Sequence, residues 1–495
     1  MSIMYRSTRS ESAPITASQA ILKGLSDDGG LFVPTELPKL DVSLEKLSGM
    51  TYREVAYEVM KLFLTDYTEE ELKGCIAAAY DSKFDTSAIA PLRNVNGVEY
   101  MELFHGATIA FKDMALSILP HLMITAAKKN HEDKQIVILT ATSGDTGKAA
   151  LAGFADVPGT KIIVFYPKDG VSSIQERQMV TQKGENTCVV GIRGNFDDAQ
   201  SGVKKIFTDP AEKEKLAAAG YQFSSANSIN IGRLVPQVVY YVYAYAKLLA
   251  NGEIANGEKV NVVVPTGNFG NILAAYFAKQ MGVPFGKLIC ASNDNKVLYD
   301  FFQTGTYDKN REFILTTSPS MDILVSSNLE RLLYLSCGRD AAKTKAMMEQ
   351  LSTNGKYEIT ADMKEFMKDF CAGYADMEEN AKEIRKVFDD TGYLIDTHTG
   401  VAAAVYEQYK AKTGDTTKTV IASTASPYKF SRSVMEAVLG KKEDADEFAL
   451  IDEMERISGV KIPQAIEEIR DAKILHNRQC KPEEMEETVK QTFSK

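Results

Sequence analysis

The loop PTGNFGN, residues 265–271, lies between the apolar run VNVVV (260–264) and the helical pattern ILAAYFAKQ (272–280). A strand, a glycine-containing loop and a helix in this order predict a βα unit of a parallel sheet, with the loop at the carboxyl end of the strand. Glycine lets the backbone approach a ligand closely, and the first turn of a helix offers unpaired N–H groups at the positive end of its dipole. The loop is therefore a candidate anion cradle, although an ordinary tight βα turn has the same composition.

The same order of elements recurs at ATSGDTG, residues 141–147, which follows the apolar run QIVIL (135–139). Neither loop matches G-x-x-x-x-G-K-[ST] or G-x-G-x-x-G, the glycine patterns of nucleotide sites. A non-enzymatic nucleotide-binding module is therefore disfavoured, and both loops remain candidates for binding smaller anions.

Short apolar runs alternate with helical patterns through most of the chain. The predicted strands span residues 135–139, 161–166, 189–192, 260–264, 288–291 and 419–422, and the predicted helices include 172–183, 196–207 and 235–249. Continuous apolar runs of this kind indicate parallel strands covered by helices on both faces. Two such blocks predict an α/β fold with two doubly wound lobes, with ligands expected at the carboxyl ends of the strands.

The composition is that of an ordinary globular protein, with 44% hydrophobic and 25% charged residues among 495. The net charge of -10 argues against general nucleic-acid binding, which depends on basic surface, but not against small anionic ligands. The six cysteines form no C-x-x-C pair, no H-E-x-x-H pattern occurs, and no metal site is expected. With no signal-peptide pattern and no membrane-length apolar run, we expect a cytoplasmic protein without membrane association.

Three further segments carry residues suited to chemistry. In ELFHGATIAFKDMALSIL (102–119), Lys112 has apolar neighbours, and a lysine in an apolar pocket can act as a Schiff-base nucleophile. The alternative is a surface lysine paired with Asp113. In SSANSINIGRLVPQ (224–237), Arg233 could bind a phosphate through its forked guanidinium, or the segment could be a polar helix cap. Thr424, in STASPYKFSRS, follows the strand 419–422 and could equally be a turn hydroxyl.

Eight segments, in this order, make the chain resemble the threonine synthase family, within the fold type II pyridoxal-phosphate enzymes of the tryptophan synthase β-like superfamily. They are STR (7–9), SDDGGLFVP (26–34), LFHGATIAFKD (103–113), ATSGDTG (141–147), NSINIGR (227–233), PTGNFGN (265–271), DTHTG (396–400) and STASPYKF (423–430). The resemblance implies an N-terminal, mostly helical extension over 1–85, a two-lobed catalytic core over 86–440 and a helical C-terminal tail over 441–495. The long N-terminal and C-terminal additions make a monomer or weak homodimer the expected state.

The resemblance implies a role for each site residue. Lys112 would bind pyridoxal 5'-phosphate as a Schiff base, Thr424 would contact the ring nitrogen, and the loop 265–271 would bind the cofactor phosphate. The implied cofactor-binding residues are Lys112, Phe111, Asp145, Gly267, Asn268, Phe269, Gly270, Asn271 and Thr424. The implied substrate-binding residues are Thr142, Ser143, Thr146, Ser228, Asn230 and Arg233, with Ser228 and Arg233 on the substrate phosphate.

The activity implied is the conversion of O-phospho-L-homoserine and water to L-threonine and phosphate, by γ-elimination and β-addition of water. Two anion-binding segments suit this reaction, because the cofactor and the substrate each carry a phosphate. A threonine or serine dehydratase, a cysteine synthase and a threonine-synthase-like phospho-lyase are the alternatives. Four positions depart from common superfamily or family patterns, namely Asp145, Ala107, Ser426 and Tyr428; Asp145 occurs in this branch of threonine synthases, and the other three should alter packing near the site.

Overall fold

The N-terminal region of the computed structural model, which describes residues 2–142 and 144–493, is mostly helical. Threonine caps begin three of its helices, and the capping box predicted at Thr68 and Glu71 is present. Its two short strands pair antiparallel. The elements are β1 (Tyr5–Ser7), α1 (Ala17–Lys23), β2 (Phe32–Pro34), α2 (Leu44–Ser48), α3 (Tyr52–Phe63) and α4 (Glu69–Ala79).

The next elements begin the two lobes. The three strands predicted here from apolar runs are present, each with two additional residues. The elements are β3 (Leu92–Val95), β4 (Val98–Glu102), α5 (Asp113–Leu116), α6 (Leu119–Lys129), β5 (Gln135–Ala141), α7 (Asp145–Phe154), β6 (Thr160–Pro167), α8 (Ser173–Val180), β7 (Thr187–Ile192), α9 (Phe196–Thr208), α10 (Pro210–Ala218) and β8 (Tyr221–Ser224).

The second block of alternation completes the core. Two 3-10 turns, Pro319–Met321 and Pro427–Phe430, belong to the site region. The elements are α11 (Ile231–Ala250), β9 (Val260–Pro265), α12 (Gly270–Gln280), β10 (Phe285–Ser292), α13 (Val297–Thr304), β11 (Thr306–Asp308), α14 (Leu329–Ser336), α15 (Ala341–Asn354), β12 (Lys356–Glu358), α16 (Ala361–Phe366), β13 (Phe370–Tyr374), α17 (Met377–Thr391), α18 (Thr397–Thr413) and β14 (Thr419–Ser423).

The C-terminal part contains four helices, a third 3-10 turn (Pro482–Glu484) and one short strand. The elements are α19 (Ser431–Leu439), α20 (Glu447–Ser458), α21 (Gln464–Arg470), β15 (Arg478–Cys480) and α22 (Met485–Phe493). The expected helical tail is therefore present, and it also contributes a strand that the sequence did not predict.

Two sheets form the lobes. The large-lobe sheet has the order β13-β10-β9-β14-β4-β3 and is parallel except for the hairpin of β3 and β4. The small-lobe sheet has the order β15-β7-β6-β5-β8 and is parallel throughout. The chain enters the large-lobe sheet, crosses to the small-lobe sheet and returns. The predicted fold class, α/β with two doubly wound lobes, is confirmed.

Helix α11 begins earlier than predicted. The sequence analysis placed its start at residue 235, whereas the structure begins it at Ile231 and carries Pro236 inside the helix. Asn230 caps it, since its side-chain oxygen accepts a hydrogen bond from the Gly232 N–H. None of the helices within the described ranges is long and apolar enough to cross a membrane.

Candidate active site

Lys112 lies immediately before α5 and is only 8% exposed. Its Nζ lies 3.1 Å from Ser320 Oγ and 3.5 Å from Asp145 Oδ2. Burial lowers the pKa of Lys112, and the nearby positive charges of Lys429 and Arg233 act in the same direction. The alternative of a surface pair with Asp113 is wrong, because both side chains are buried and the Asp113 carboxylate accepts from the Thr108 N–H and hydroxyl.

Asp145 is the first residue of α7 and faces Lys112. Its Oδ1 accepts from Gln175 Nε2 at 2.9 Å and lies 3.4 Å from Lys429 Nζ. Its Oδ2 accepts from Ser320 Oγ at 3.1 Å. Burial alone would raise the pKa of Asp145, but the charges of Lys429 and Lys112 outweigh it and hold this pKa well below its usual range. Asp145 is therefore a carboxylate between two lysines.

The rest of the loop 141–147 is organised by Thr142. Its buried hydroxyl oxygen accepts from the N–H groups of Gly144 and Gly147 at 3.0 and 2.9 Å, which fixes the turn before α7. Thr146 is half-buried in the first turn of the helix. Ser143, also predicted to bind substrate, lies outside the described residues.

The loop 265–271 joins β9 to α12, as the sequence predicts. A Cβ on Gly267 would lie 2.4 Å from the Ser320 carbonyl oxygen, so only glycine fits there. Phe269 caps α12 in the left-handed region, with φ of 66°. The buried Asn271 accepts from the Tyr241 hydroxyl, while its own Nδ2 has no partner within the described part of the chain.

Asn268 and Gly270 belong to the same loop and differ in exposure. Asn268 is exposed, and its carbonyl accepts from the backbone N–H and from Nδ2 of Asn328, both at 3.0 Å. Gly270 begins α12 and is buried. Asn328 Nδ2 also lies 3.5 Å from Ser228 Oγ, so the structure brings the loops 265–271 and 227–233 together.

Arg233 lies in the first turn of α11 and is 3% exposed. Its Nη1 donates to the Ala226 carbonyl at 3.1 Å, and its buried Nε has no partner among the described residues. Burial lowers the pKa of Arg233 to about 10. A buried guanidinium without a counter-ion is costly, and an anionic ligand would remove that cost.

The side chain of Asn230 is not free to bind the substrate, a role that the sequence had predicted for it. It is fully buried, its amide nitrogen donates to the carbonyls of Ile21 and Ser225, and its oxygen caps α11. All its hydrogen-bonding groups are therefore used within the protein. The geometry assigns it to the shape of the loop and leaves Ser228 and Arg233 for a ligand.

Thr424 directly follows β14 and contacts the segment that precedes Lys112. Its carbonyl accepts from the Phe111 N–H at 2.8 Å, and Ala110 pairs with Ala425 in an antiparallel bridge. The ring centroid of the half-buried Phe111 lies 5.0 Å from Lys112 Nζ. The end of the large-lobe sheet thus holds the backbone next to Lys112.

Three residues that hydrogen-bond or pair with Lys112 or Asp145 were missed by the sequence analysis: Gln175, which lies in the predicted helix 172–183, Lys429 and Ser320. Lys429 lies within STASPYKF, a segment already singled out, so its position was available as a signal. Ser320 lies in the turn Pro319–Met321, for which the sequence offers no chemical signal. Its backbone N–H donates to His398 Nε2 at 3.1 Å, and Asp396 Oδ2 lies 2.7 Å from His398 Nδ1. This network assigns the proton of the neutral imidazole to Nδ1, and the DTHTG segment thereby holds Ser320 in place.

The N-terminal motif STR (7–9) lies outside the site and binds helix α14. Arg9 donates two hydrogen bonds to Glu330, at 2.8 and 2.7 Å, and the Thr8 hydroxyl donates to the same carboxylate. The fully buried Arg331, next along α14, donates to Asn328 Oδ1. The N-terminal region therefore fixes the element that supplies Asn328 to both anion-binding loops.

The arrangement suits a ligand with a reactive carbonyl and an anionic group. A buried amine of lowered pKa is a nucleophile for carbonyl carbon. Unpartnered buried donors on Asn271 and Arg233, with the N-terminus of the 11-residue α12, suit two anionic groups.

Three family models match the chain. "Threonine synthase N terminus" matches residues 4–80, "Pyridoxal-phosphate dependent enzyme" matches residues 95–425, and "Threonine synthase, C-terminal" matches residues 399–476.

Three proteins illustrate the similarity. The chain is 41% identical to threonine synthase-like 1 of Homo sapiens over 85% of its own length, and it spans 58% of that relative. It is 35% identical to threonine synthase of Saccharomyces cerevisiae, over 96% of this chain and 97% of the relative. The crystal structure of PLP-bound threonine synthase from Brucella melitensis superposes with a TM-score of 0.88, at 34% identity and full coverage of both chains.

Proposed function

Because this chain belongs to the threonine synthase family of pyridoxal-phosphate-dependent enzymes, we propose that it converts O-phospho-L-homoserine and water to L-threonine and phosphate. The observation that carries this proposal is the meeting of two anion-binding loops at Asn328 beside the buried Lys112. One loop serves the cofactor phosphate and the other the substrate phosphate. A dehydratase or cysteine synthase acting on an unphosphorylated amino acid needs only one.

The cofactor is pyridoxal 5'-phosphate, as the family predicts, and the residues present fit it. The N–H groups of Gly267 to Asn271 and the Asn271 Nδ2, which has no partner among the described residues, would hold its phosphate, and the Thr424 hydroxyl would contact its ring nitrogen. When bound, it supplies an electron sink for negative charge that develops on substrate carbon atoms.

Lys112 is the residue that binds the cofactor covalently and moves protons. Its lowered pKa keeps a larger fraction of the amine neutral, and a neutral amine accepts a proton from the α carbon of the substrate. Ser320 Oγ accepts a hydrogen bond from Nζ at 3.1 Å and so fixes the position of the amine. The Asp145 carboxylate, held as an anion, presents its Oδ2 to the Lys112 amine at a distance of 3.5 Å.

Arg233 and Ser228 bind the substrate phosphate. The guanidinium donates through Nε, whose hydrogen bond the protein leaves unmade, and the half-buried Ser228 hydroxyl adds a second donor. The first turn of α7, with Thr146, receives the substrate carboxylate, and Thr142 shapes the turn that leads into this helix; the role of Ser143 stays a prediction from the sequence. Asn230 shapes the loop and does not contact the substrate.

Product analysis of the purified enzyme tests this proposal. Incubation with O-phospho-L-homoserine should release inorganic phosphate and L-threonine in equal amounts, while serine and threonine should yield no ammonia. Phosphate release without threonine would indicate a phospho-lyase, and ammonia from serine or threonine would indicate a dehydratase; either result contradicts the proposal. A cytoplasmic location and a monomer or weak homodimer remain predictions from the sequence.

A further inference from the structure

Lys429 is a buried cation that the proposed reaction does not use. It lies in the turn Pro427–Phe430 and is 1% exposed. Its Nζ donates to the Thr108 carbonyl at 2.9 Å and to Gln178 Oε1 at 3.2 Å, and it lies 3.4 Å from Asp145 Oδ1. An ammonium group has three protons, so these three acceptors use its whole hydrogen-bonding capacity.

The Asp145 carboxylate separates Lys429 from Lys112. Lys429 lies on the Oδ1 side, together with the Gln175 amide, while Lys112 and Ser320 lie on the Oδ2 side. Removing a carboxylate from water is costly unless a cation compensates it. With Lys429 in place, that compensation does not depend on Lys112.

Asp145 without Lys429 would act differently on Lys112. A lone anion beside a buried amine stabilises the protonated amine, which is neither a nucleophile nor a base. The pKa of Lys112 is lowered by burial and raised by Asp145, while Lys429 and Arg233 lower it. The charge of Lys429 thus opposes the effect of the Asp145 charge.

We propose that Lys429 is a positioning residue that neutralises the Asp145 carboxylate, so that Lys112 faces a compensated ion pair and gives up its proton readily. This role rests on the proposed function only in that Lys112 must be neutral to react. It also accounts for the buried carboxylate at position 145, where the sequence departs from the common superfamily pattern.

Other ionisable groups also lie near the ion pair of Asp145 and Lys429. Arg233 on α11 and His398 on α18 approach from the large lobe, and His398 acts through Ser320. Asp113 and Lys148 lie near Lys429 from α5 and α7. None of these side chains bonds to Asp145 within the described residues.

A charge cycle on the full-length chain tests the proposal without substrate. The cofactor is removed from wild type, Lys429→Met, Asp145→Asn and the double variant, and acetylation of Lys112 by acetic anhydride is followed against pH by peptide mass spectrometry. Circular dichroism verifies that each chain is folded. The acetylation rate reports the neutral fraction of Lys112, which a merely structural role for Lys429 would not shift in a charge-dependent order.

The midpoint is the pH at which the acetylation rate of Lys112 is half its maximal value. Its expected order among the variants follows from the charges left beside Lys112. Lys429→Met leaves the carboxylate alone, so the midpoint rises and acetylation below it slows by about tenfold or more. Asp145→Asn leaves the cation alone, so the midpoint falls. The double variant leaves neither charge and should return close to wild type.

Lys148→Met is the matched control. It removes another lysine near Lys429, but one whose Nζ donates to Gln182 and not to Asp145. Its midpoint should stay at the wild-type value.

A wild-type midpoint in Lys429→Met, or a double variant no closer to wild type than Lys429→Met, would overturn the proposal. If Lys429→Met does not fold, Asp145→Asn decides, and a midpoint that fails to fall overturns it. Because no turnover is measured, a wrong substrate assignment would leave this outcome unchanged.

Discussion

At the scale of single residues, the site is built around the buried side chains of Lys112, Asp145 and Arg233. Lys112 Nζ and Asp145 Oδ2 lie 3.5 Å apart, and the buried Arg233 Nε has no hydrogen-bond partner in the described part of the chain. Ser320 could not be predicted, because it reaches Lys112 from 208 positions further along the chain. The side chain of Asn230 is chemically suited to bind a ligand, yet its hydrogen-bonding groups are used inside the protein. Only the structure reveals this.

Arg233→Ala should impair substrate use while leaving the cofactor bound. Loss of the forked donor removes a charge-assisted contact to the substrate phosphate, and we expect kcat/KM for O-phospho-L-homoserine to fall by about a hundredfold or more. Steady-state kinetics and the visible spectrum of the bound cofactor measure the two effects separately.

Arg385→Ala is the control for this variant, because the Arg385 side chain is 52% exposed and pairs with Asp389 on the surface of α17. It should leave kcat/KM unchanged. If Arg233→Ala loses the cofactor spectrum together with activity, the separate roles of the two anion-binding loops are refuted.

At the scale of elements, strand–loop–helix junctions were predictable because their local chemistry is sufficient. Apolar runs, glycines and helix starts occur together in sequence, and β9 and α12 lie where they were expected. The start of α11 was missed because proline usually marks a boundary, whereas here Pro236 lies inside the helix. Tyr428, one of the unusual residues near Thr424, is buried, and its hydroxyl donates to the Val460 carbonyl, so it joins this turn to the C-terminal part.

Gly267→Ala should weaken cofactor binding by displacing the loop. The new Cβ would meet the Ser320 carbonyl oxygen at 2.4 Å, and neither backbone can move away without shifting the site. We expect the dissociation constant for pyridoxal phosphate to rise by about tenfold or more, as measured by fluorescence titration of the cofactor-free chain.

Gly270→Ala is the matched control in the same loop. Its Cβ would lie 3.5 Å from the nearest side-chain atom, which is ordinary contact. The cofactor-free Gly270→Ala chain should therefore keep wild-type thermal stability, whereas Gly267→Ala should lower it. Equal stability of the two variants would contradict this account of the loop.

At the scale of the whole molecule, the two-lobed architecture was predictable but the small-lobe edge was not. Strand β15 has three residues, RQC, with no apolar alternation, and it exists because it pairs with β7 nearly 300 positions earlier. Cys480 of this strand packs with Met485, Val489, Val190 and Ile206 in one apolar cluster. The division of the chain at residues 85 and 440 stays a prediction.

Met485→Ala tests whether the C-terminal part stabilises the small lobe. Met485 is 1% exposed and covers Gly202 on α9, so truncation should cost about 2 to 5 kcal/mol in free energy of unfolding. Urea denaturation followed by circular dichroism measures this.

Met377→Ala, at a methionine 41% exposed, should cost less than about 0.5 kcal/mol. Equal stabilities of the two variants would show that the last helix contributes nothing to the small-lobe core.

Borohydride reduction of the holoenzyme tests whether Lys112 carries the cofactor. The holoenzyme is reduced with borohydride, which makes the lysine–cofactor bond permanent, and its peptides are mapped by mass spectrometry. We predict that the phosphopyridoxyl group is found on Lys112 alone and is absent from Lys112→Ala. A label on Lys429, the other lysine beside Asp145, or on any lysine outside the site would contradict the account.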